Sequence, residues 1–418
     1  MSPKDALAPI VELYGGEYKD TAPDLLPPEI SAQFRGATRL IVEQFPHFEP
    51  AETGRVDCVL VNSSAMNPRV HSLEGGARLI VFPVGVLIRI YWIAHAVFEY
   101  WGEGLNVTIA GSPLDDLPPE WYEIAGPLKP LFVDYAQESD FWTDMNALAP
   151  LVVRKPDFEH DARSIARLAA QFLVWHELGH IQLGHFTLRK NPLLPDWRDW
   201  MGVDDHDFQA GLEAQADRFA SSALIHTLLG EIEYRRGGRP EIERAFGLCT
   251  AGLMLMLGAF WPAKKFVAGY KGLGNQHPLV RREMIADAIA AALADDAAKT
   301  ELFRQIDLKI WEQVVWASNR LAMYAHERYK TSGTVTVMPL LSSLSYGTGF
   351  AFPFIEAHRV RAAYLLSAAD GILKTHTDFR SRAPQGKDPD AFLASLAEVF
   401  KQHDLQVQDQ VRKLKPTP

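Results

Sequence analysis

Five consecutive residues, His176-Glu177-Leu178-Gly179-His180, fall within a stretch whose apolar residues recur at helical spacing. On a helix, two histidines four residues apart lie on one face, one turn from each other. Both imidazoles can then meet one Zn²⁺ ion at about 2.0–2.1 Å. Glu177 follows the first histidine, so it can reach a water on the metal rather than the metal itself. A carboxylate on a following helix can complete the set: Glu213 stands 33 residues after His180, in Leu212-Glu-Ala-Gln-Ala-Asp217. Two histidines and one glutamate leave a fourth position for water, the arrangement of catalytic rather than structural sites. Asp217, one turn beyond Glu213, can accept the free ring N–H of a ligating histidine and hold its tautomer. In such a set the metal brings the pKa of its water to around 7, and Glu177 moves the proton to the leaving nitrogen.

These residues need elements to hold them. Asp157 to Leu188 reads as the best helix of the chain, with Ile165, Leu168, Ala169, Phe172 and Leu173 in register and Asp157 or Asp161 to cap it. His185 lies five residues after His180; on a continuing helix that is about 140° off the ligand face. It is therefore expected to be a polar residue near the helix end and not a ligand. Residues 189–206 read as a loop, in which Trp197 and Trp200 form either a lid or packing. Asp207 to Arg236 reads as the second helix, stopped by Gly237-Gly238-Arg239-Pro240. The acids at 204, 205 and 207 beside His206 suit a helix N-terminus better than a second metal.

Upstream, Arg55 to Ser64 and Ala77 to Leu87 read as strands, the second with Pro83 at an edge or bulge, followed by a helix to Trp101. Ala77 to Phe82 is either an edge strand able to pair with an extended peptide or an ordinary core strand. A helix is expected from Pro28 to Phe45. Downstream the pattern is helical over about 241–270, 278–295, 301–329, 353–375 and 389–413, interrupted by an extended piece from Thr334 to Leu341. The expected fold is α+β and mostly helical, with a small N-terminal sheet and a helical C-terminal part. The expected division is an extension over 1–50, a catalytic domain over 51–290 with an insertion at about 102–156, and a helical subdomain over 291–418.

The pair HELGH and ExxxD resembles the gluzincin zinc metallopeptidases. The resemblance implies a zincin-like domain in which His176, His180 and Glu213 bind zinc, Glu177 is general base and acid, and Asp217 buttresses a histidine. Within that group, HELGHIQLGH with EAQADRFA is similar to Lit-type phage-exclusion peptidases, and more distantly to ImmA/IrrE-like and HtpX-like ones. This implies a restricted protein target, with phage defence or regulation as the setting. His277-Pro278 followed by Arg281 and Arg282 is similar to the HP…R segment of HtpX-like peptidases, with different arginine spacing. The developing oxyanion needs a further donor. His277 is the first candidate catalytic residue, with a helix-capping histidine as its other reading; Arg281, Arg282 and Tyr346 are further candidates.

The 418 residues include 52 acidic against 42 basic ones, a net charge of -10 that argues against nucleic acid as a partner. Two cysteines, Cys58 and Cys249, form no disulfide framework, and no secretory signal is evident, so a cytoplasmic location is expected. Ala245 to Pro262 carries no charge; a helix buried all round is favoured over a membrane span. The alternatives to a soluble peptidase are a membrane-associated HtpX-like quality-control protease and a non-catalytic zinc-binding protein.

Overall fold

The computed structural model describes residues 3–44, 55–98, 137–152, 154–259, 278–329 and 351–382, with isolated positions around them. It is mostly helical with one small sheet, as the periodicities indicate. Two helices open the chain, α1 (Pro3–Glu12) and α2 (Pro28–Gln44). Three strands follow: β1 (Val56–Val61), β2 (Arg69–Ser72) and β3 (Arg78–Pro83). Then come α3 (Val84–Phe98), α4 (Glu138–Leu148), α5 (Pro156–Gln182), the single turn α6 (His185–Leu188) and α7 (Leu194–Met201). The later helices are α8 (Asp205–Tyr234), α9 (Arg239–Ala259), α10 (Pro278–Ala292), α11 (Ala297–Tyr329) and α12 (Ala351–Ser381).

The sheet runs β1-β3-β2, with β1 parallel and β2 antiparallel to β3. This settles the alternatives for Ala77 to Phe82: β3 is the central strand, and β1 is an edge. The apolar run of β3 does not alternate, as befits a strand covered on both faces. One end of the β1 edge is closed by the segment after α1, where Tyr18 N donates to Leu60 O and Asn62 N to Gly16 O. Strand β3 ends at Pro83 and α3 begins at once, earlier than the expected strand end at Leu87. Every residue of α3 is buried, Arg89 and His95 included; the Arg89 guanidinium donates to Ser64 O and lies 4.3 Å from the Phe141 ring centroid.

Helix α5 starts with Pro156 at its first turn, where a missing N–H costs nothing, and from Ile165 onward it is buried almost all round. It packs against α2, α3, α8 and α9. Its crossing with α8 is close because of Gly179: a Cβ there would lie 3.1 Å from Phe219 Cδ1 and 3.2 Å from Ala216 Cα. The helix stops at Gln182, not Leu188, because Gly184 takes a left-handed conformation (φ +70°) and turns the chain into α6. Helix α8 is capped by Asp204, whose carboxylate accepts from Asp207 N at 2.7 Å.

A second core joins the segment between α5 and α8 to the C-terminal helix. Leu188, Leu193, Trp197, Phe208 and Leu212 meet Leu365, Ala369 and Ile372 of α12. Trp197 is thus packing, while Trp200 is 78% exposed. Residues 249–257 of α9 are buried, and no helix among the described residues is long and apolar enough to cross a membrane. The extended piece expected at Thr334 to Leu341 and most of the insertion at 102–156 lie outside the described residues.

Candidate metal centre

Helix α5 brings His176 and His180 to one face, and α8 brings Glu213 across from them. His176 Nε2 stands 3.1 Å from His180 Nε2 and 3.2 Å from Glu213 Oε2; His180 Nε2 stands 3.6 Å from Glu213 Oε1. A tetrahedral ion with ligands at about 2.0–2.1 Å leaves its ligand atoms about 3.3–3.4 Å apart. The three edges bracket that value, so the donor set fits a metal ion of zinc's size without rearrangement. Both histidines are buried.

Each histidine has its other ring nitrogen engaged. His176 Nδ1 lies 2.8 Å from Asp217 Oδ1, and the carboxylate can only accept, so the ring donates through Nδ1 and turns Nε2 towards Glu213. Asp217 is itself held by Arg281 of α10, whose Nε and NH2 donate to its two oxygens at 2.9 and 2.8 Å. His180 Nδ1 lies 2.8 Å from His185 Nδ1. The break at Gly184 corrects the expectation for His185. It is not a polar residue at a helix end but a buried partner of a candidate ligand, with its Nε2 2.9 Å from Gln215 Oε1.

The electrostatics follow from this geometry. Burial opposes the charged form of His176, but hydrogen bonds to Asp217 and Glu213 lift it to about 10. Burial likewise opposes ionisation of Glu213, yet hydrogen bonds to both histidines hold its carboxyl well below the usual range. Burial also opposes Asp217, and the Arg281 charge overcomes it and lowers the carboxyl. Burial drives His185 down to about 3, which keeps the ring neutral. Glu177 has no ion-pair partner among those described, and burial pushes it up to about 7. The half-buried Cys58 of β1 has its thiol raised to about 12, by desolvation first and by the Glu177 charge next.

Residues 125–301 match the sequence profile of a peptidase family, Peptidase U49. The match supports a protease. The span takes in all five motif residues and Arg281, and it leaves out the sheet and α12. No curated protein and no solved structure matches the chain.

The other candidates fall as follows. Arg281 is spent on Asp217, and Arg282 pairs with Asp307 and Glu283, so neither points a free guanidinium at the centre. His277 and Tyr346 lie outside the described residues. Asp204, His206 and Asp207 do cluster, but Asp204 caps α8 and Asp207 pairs with Arg361. The roles of three residues were not anticipated: His185, read as a polar residue near a helix end; Arg281, read as an oxyanion candidate; and Gln215, not singled out at all. For the first, Gly184 was the available signal, a helix stop one residue ahead of it.

Proposed function

We propose that this chain is a zinc-dependent endopeptidase, with His176, His180 and Glu213 as metal ligands and Glu177 as the general base and acid. The observation that carries the reading is the triangle of two imidazole Nε2 atoms and one carboxylate, with edges of 3.1 to 3.6 Å. When bound, zinc supplies a Lewis acid that acidifies water and polarises a carbonyl. Glu177, next to His176 and with no ion-pair partner among those described, is suited to accept the proton from that water and return it to the leaving nitrogen. Asp217 and Arg281 keep His176 in the Nδ1–H tautomer. Glu213 supplies one negative charge, and the fourth position stays free for water.

The extended substrate pairs with an outer strand of the sheet rather than with the central strand β3. A restricted protein target, in phage defence or regulation, follows from the resemblance of the two motifs to Lit-type peptidases. The absence of a membrane-spanning helix among the described residues favours this reading over an HtpX-like protease in the bilayer.

The test is the zinc content of purified wild type, Glu177→Gln and Glu213→Ala. One zinc per chain in wild type and in Glu177→Gln, with strong loss in Glu213→Ala, is expected. Wild type without zinc after metal-replete purification, or Glu213→Ala with a full complement, refutes the ligand set.

A further inference from the structure

The hydrogen bonds around His180 do not stop at His185. Gln215 of α8, which faces His185 through Oε1, donates from Nε2 to Asp370 Oδ1 of α12 at 2.7 Å. Arg218 holds the same carboxylate by two hydrogen bonds, at 2.8 and 3.0 Å. His185 and Gln215 are almost fully buried, while the Asp370 side chain is 39% exposed. The close approach that makes this contact possible depends on Gly211: a Cβ there would sit 2.7 Å from Leu365 O.

Each group in this chain has its role set by the one before it. An ionised carboxylate only accepts, so Gln215 must turn its NH₂ to Asp370 and its oxygen to His185. That oxygen requires His185 to carry its hydrogen on Nε2 and to present a bare Nδ1. The bare Nδ1 in turn requires His180 to donate from its own Nδ1, which leaves His180 Nε2 with the lone pair a metal needs. Were the Gln215 amide reversed, His185 would carry its hydrogen on Nδ1, and His180 would have to accept it at Nδ1 and carry its own hydrogen on Nε2, the atom a metal needs bare.

We propose that Asp370, acting through Gln215 and His185, sets the tautomer of His180, so that helix α12 is a positioning element of the metal centre. This rests on the metal reading above. It also goes beyond it, since α12 lies outside the span that matches the peptidase family. Asp217 does the same service for His176 from the opposite side, so the two histidines are oriented by separate chains of bonds that meet only at the metal position.

The experiment measures zinc affinity by competition with a chelating indicator, using zinc alone as the probe. Visible absorption of the cobalt-substituted protein and thermal unfolding of the metal-free protein accompany it. Gln215→Leu should weaken zinc about 10- to 100-fold, the range for the outer partners of metal ligands. Asp370→Leu should weaken it about tenfold. Asp370→Asn should stay within about threefold of wild type, because its carbonyl can keep the Gln215 and Arg218 bonds at Oδ1. Arg361→Ala removes a different α8–α12 contact, to Asp207, and should leave affinity unchanged. The cobalt spectrum should change in Gln215→Leu and Asp370→Leu alone. Because Asp370 is at the surface, its variants carry the test even if Gln215→Leu does not fold. Unchanged affinity in both leucine variants overturns the proposal. So does an equal loss in Arg361→Ala, which would make the effect one of helix docking. A wild type that binds no zinc instead refutes the ligand set itself.

Discussion

Replacing Arg281 with methionine removes a cation from a carboxylate that cannot recover its solvent. Asp217 is buried, with a side chain 5% exposed, and it takes two hydrogen bonds from Arg281 at 2.9 and 2.8 Å. Hydrogen bonds to charged groups contribute about 1.5–3 kcal/mol each. The Arg281 side chain is 27% exposed, which screens part of that, so a loss of about 2–4 kcal/mol is expected. Unfolding entropy near 2.1 cal/mol/K per residue gives about 0.9 kcal/mol/K for a chain of 418 residues. The melting temperature of the metal-free protein should therefore drop by about 2–5 °C. With the guanidinium gone, burial dominates Asp217 and its carboxyl rises. The acceptor that orients His176 weakens, and zinc affinity should fall about tenfold. Asp217→Asn breaks the same pair, so the double variant should be less destabilised than the two single effects added together. Melting within 1 °C of wild type with unchanged zinc affinity in Arg281→Met, or full additivity in the double variant, would refute the reasoning.

Gly179→Val should force α8 away from α5, since even a Cβ meets Phe219 and Ala216 at 3.1–3.2 Å. A cost of about 1–3 kcal/mol and a weaker zinc complex are expected, because Glu213 moves with α8; unaltered zinc competition would count against the geometry. Gly184→Ala puts a side chain on a residue at φ +70°, at about 1–2 kcal/mol, and should lower both melting temperature and zinc affinity by displacing His185. His376 of α12 accepts from Asn191 Nδ2 at 2.7 Å and is pushed down to about 4 by burial. Its folded pKa lies below the ordinary 6.5, so stability is intact above pH 6.5 and declines as pH falls towards 4. The loss is at most about 3 kcal/mol, and His376→Gln, which keeps an acceptor for Asn191, should show a smaller fall in melting temperature between pH 7 and 4.5. An identical pH profile for the two proteins would sink that assignment.

The helices of the candidate centre were legible because apolar residues recur at helical spacing in α5 and because its two histidines, and the two acids of α8, stand one turn apart. Helix α2 was read from Pro28 to within a residue of its end, and the start of α8 was displaced by only two. What failed were features decided by neighbours. Strand β2 has two exposed and two half-buried residues that gain meaning only by pairing with β3. Helix α1 contains Pro9, which obscures its pattern. The central place of β3 had a signal that was left open: Leu79 to Val84 is apolar without alternation, which an edge strand with one wet face has no reason to be. His185 was misjudged by extending α5 through Gly184.

Gln215 and Arg281 explain why a centre can be recognised in sequence while its support cannot. In Glu213-Ala-Gln-Ala-Asp217, the two acids are one turn apart and face α5, so spacing identifies them. Gln215 sits between them and serves different partners, His185 on α6 and Asp370 on α12. A helix with polar duties on more than one side loses the stripe that periodicity detects. Arg281 stands 64 residues beyond Asp217, and Asp370 stands 155 and 152 residues beyond Gln215 and Arg218; these pairings exist only because α10 and α12 pack on α8. The donors that face the proposed metal come from two helices, but the tautomers that make them donors depend on four. A truncation that kept both motifs and removed α12 would keep every proposed ligand and lose Asp370, the carboxylate proposed to set the His180 tautomer through Gln215 and His185.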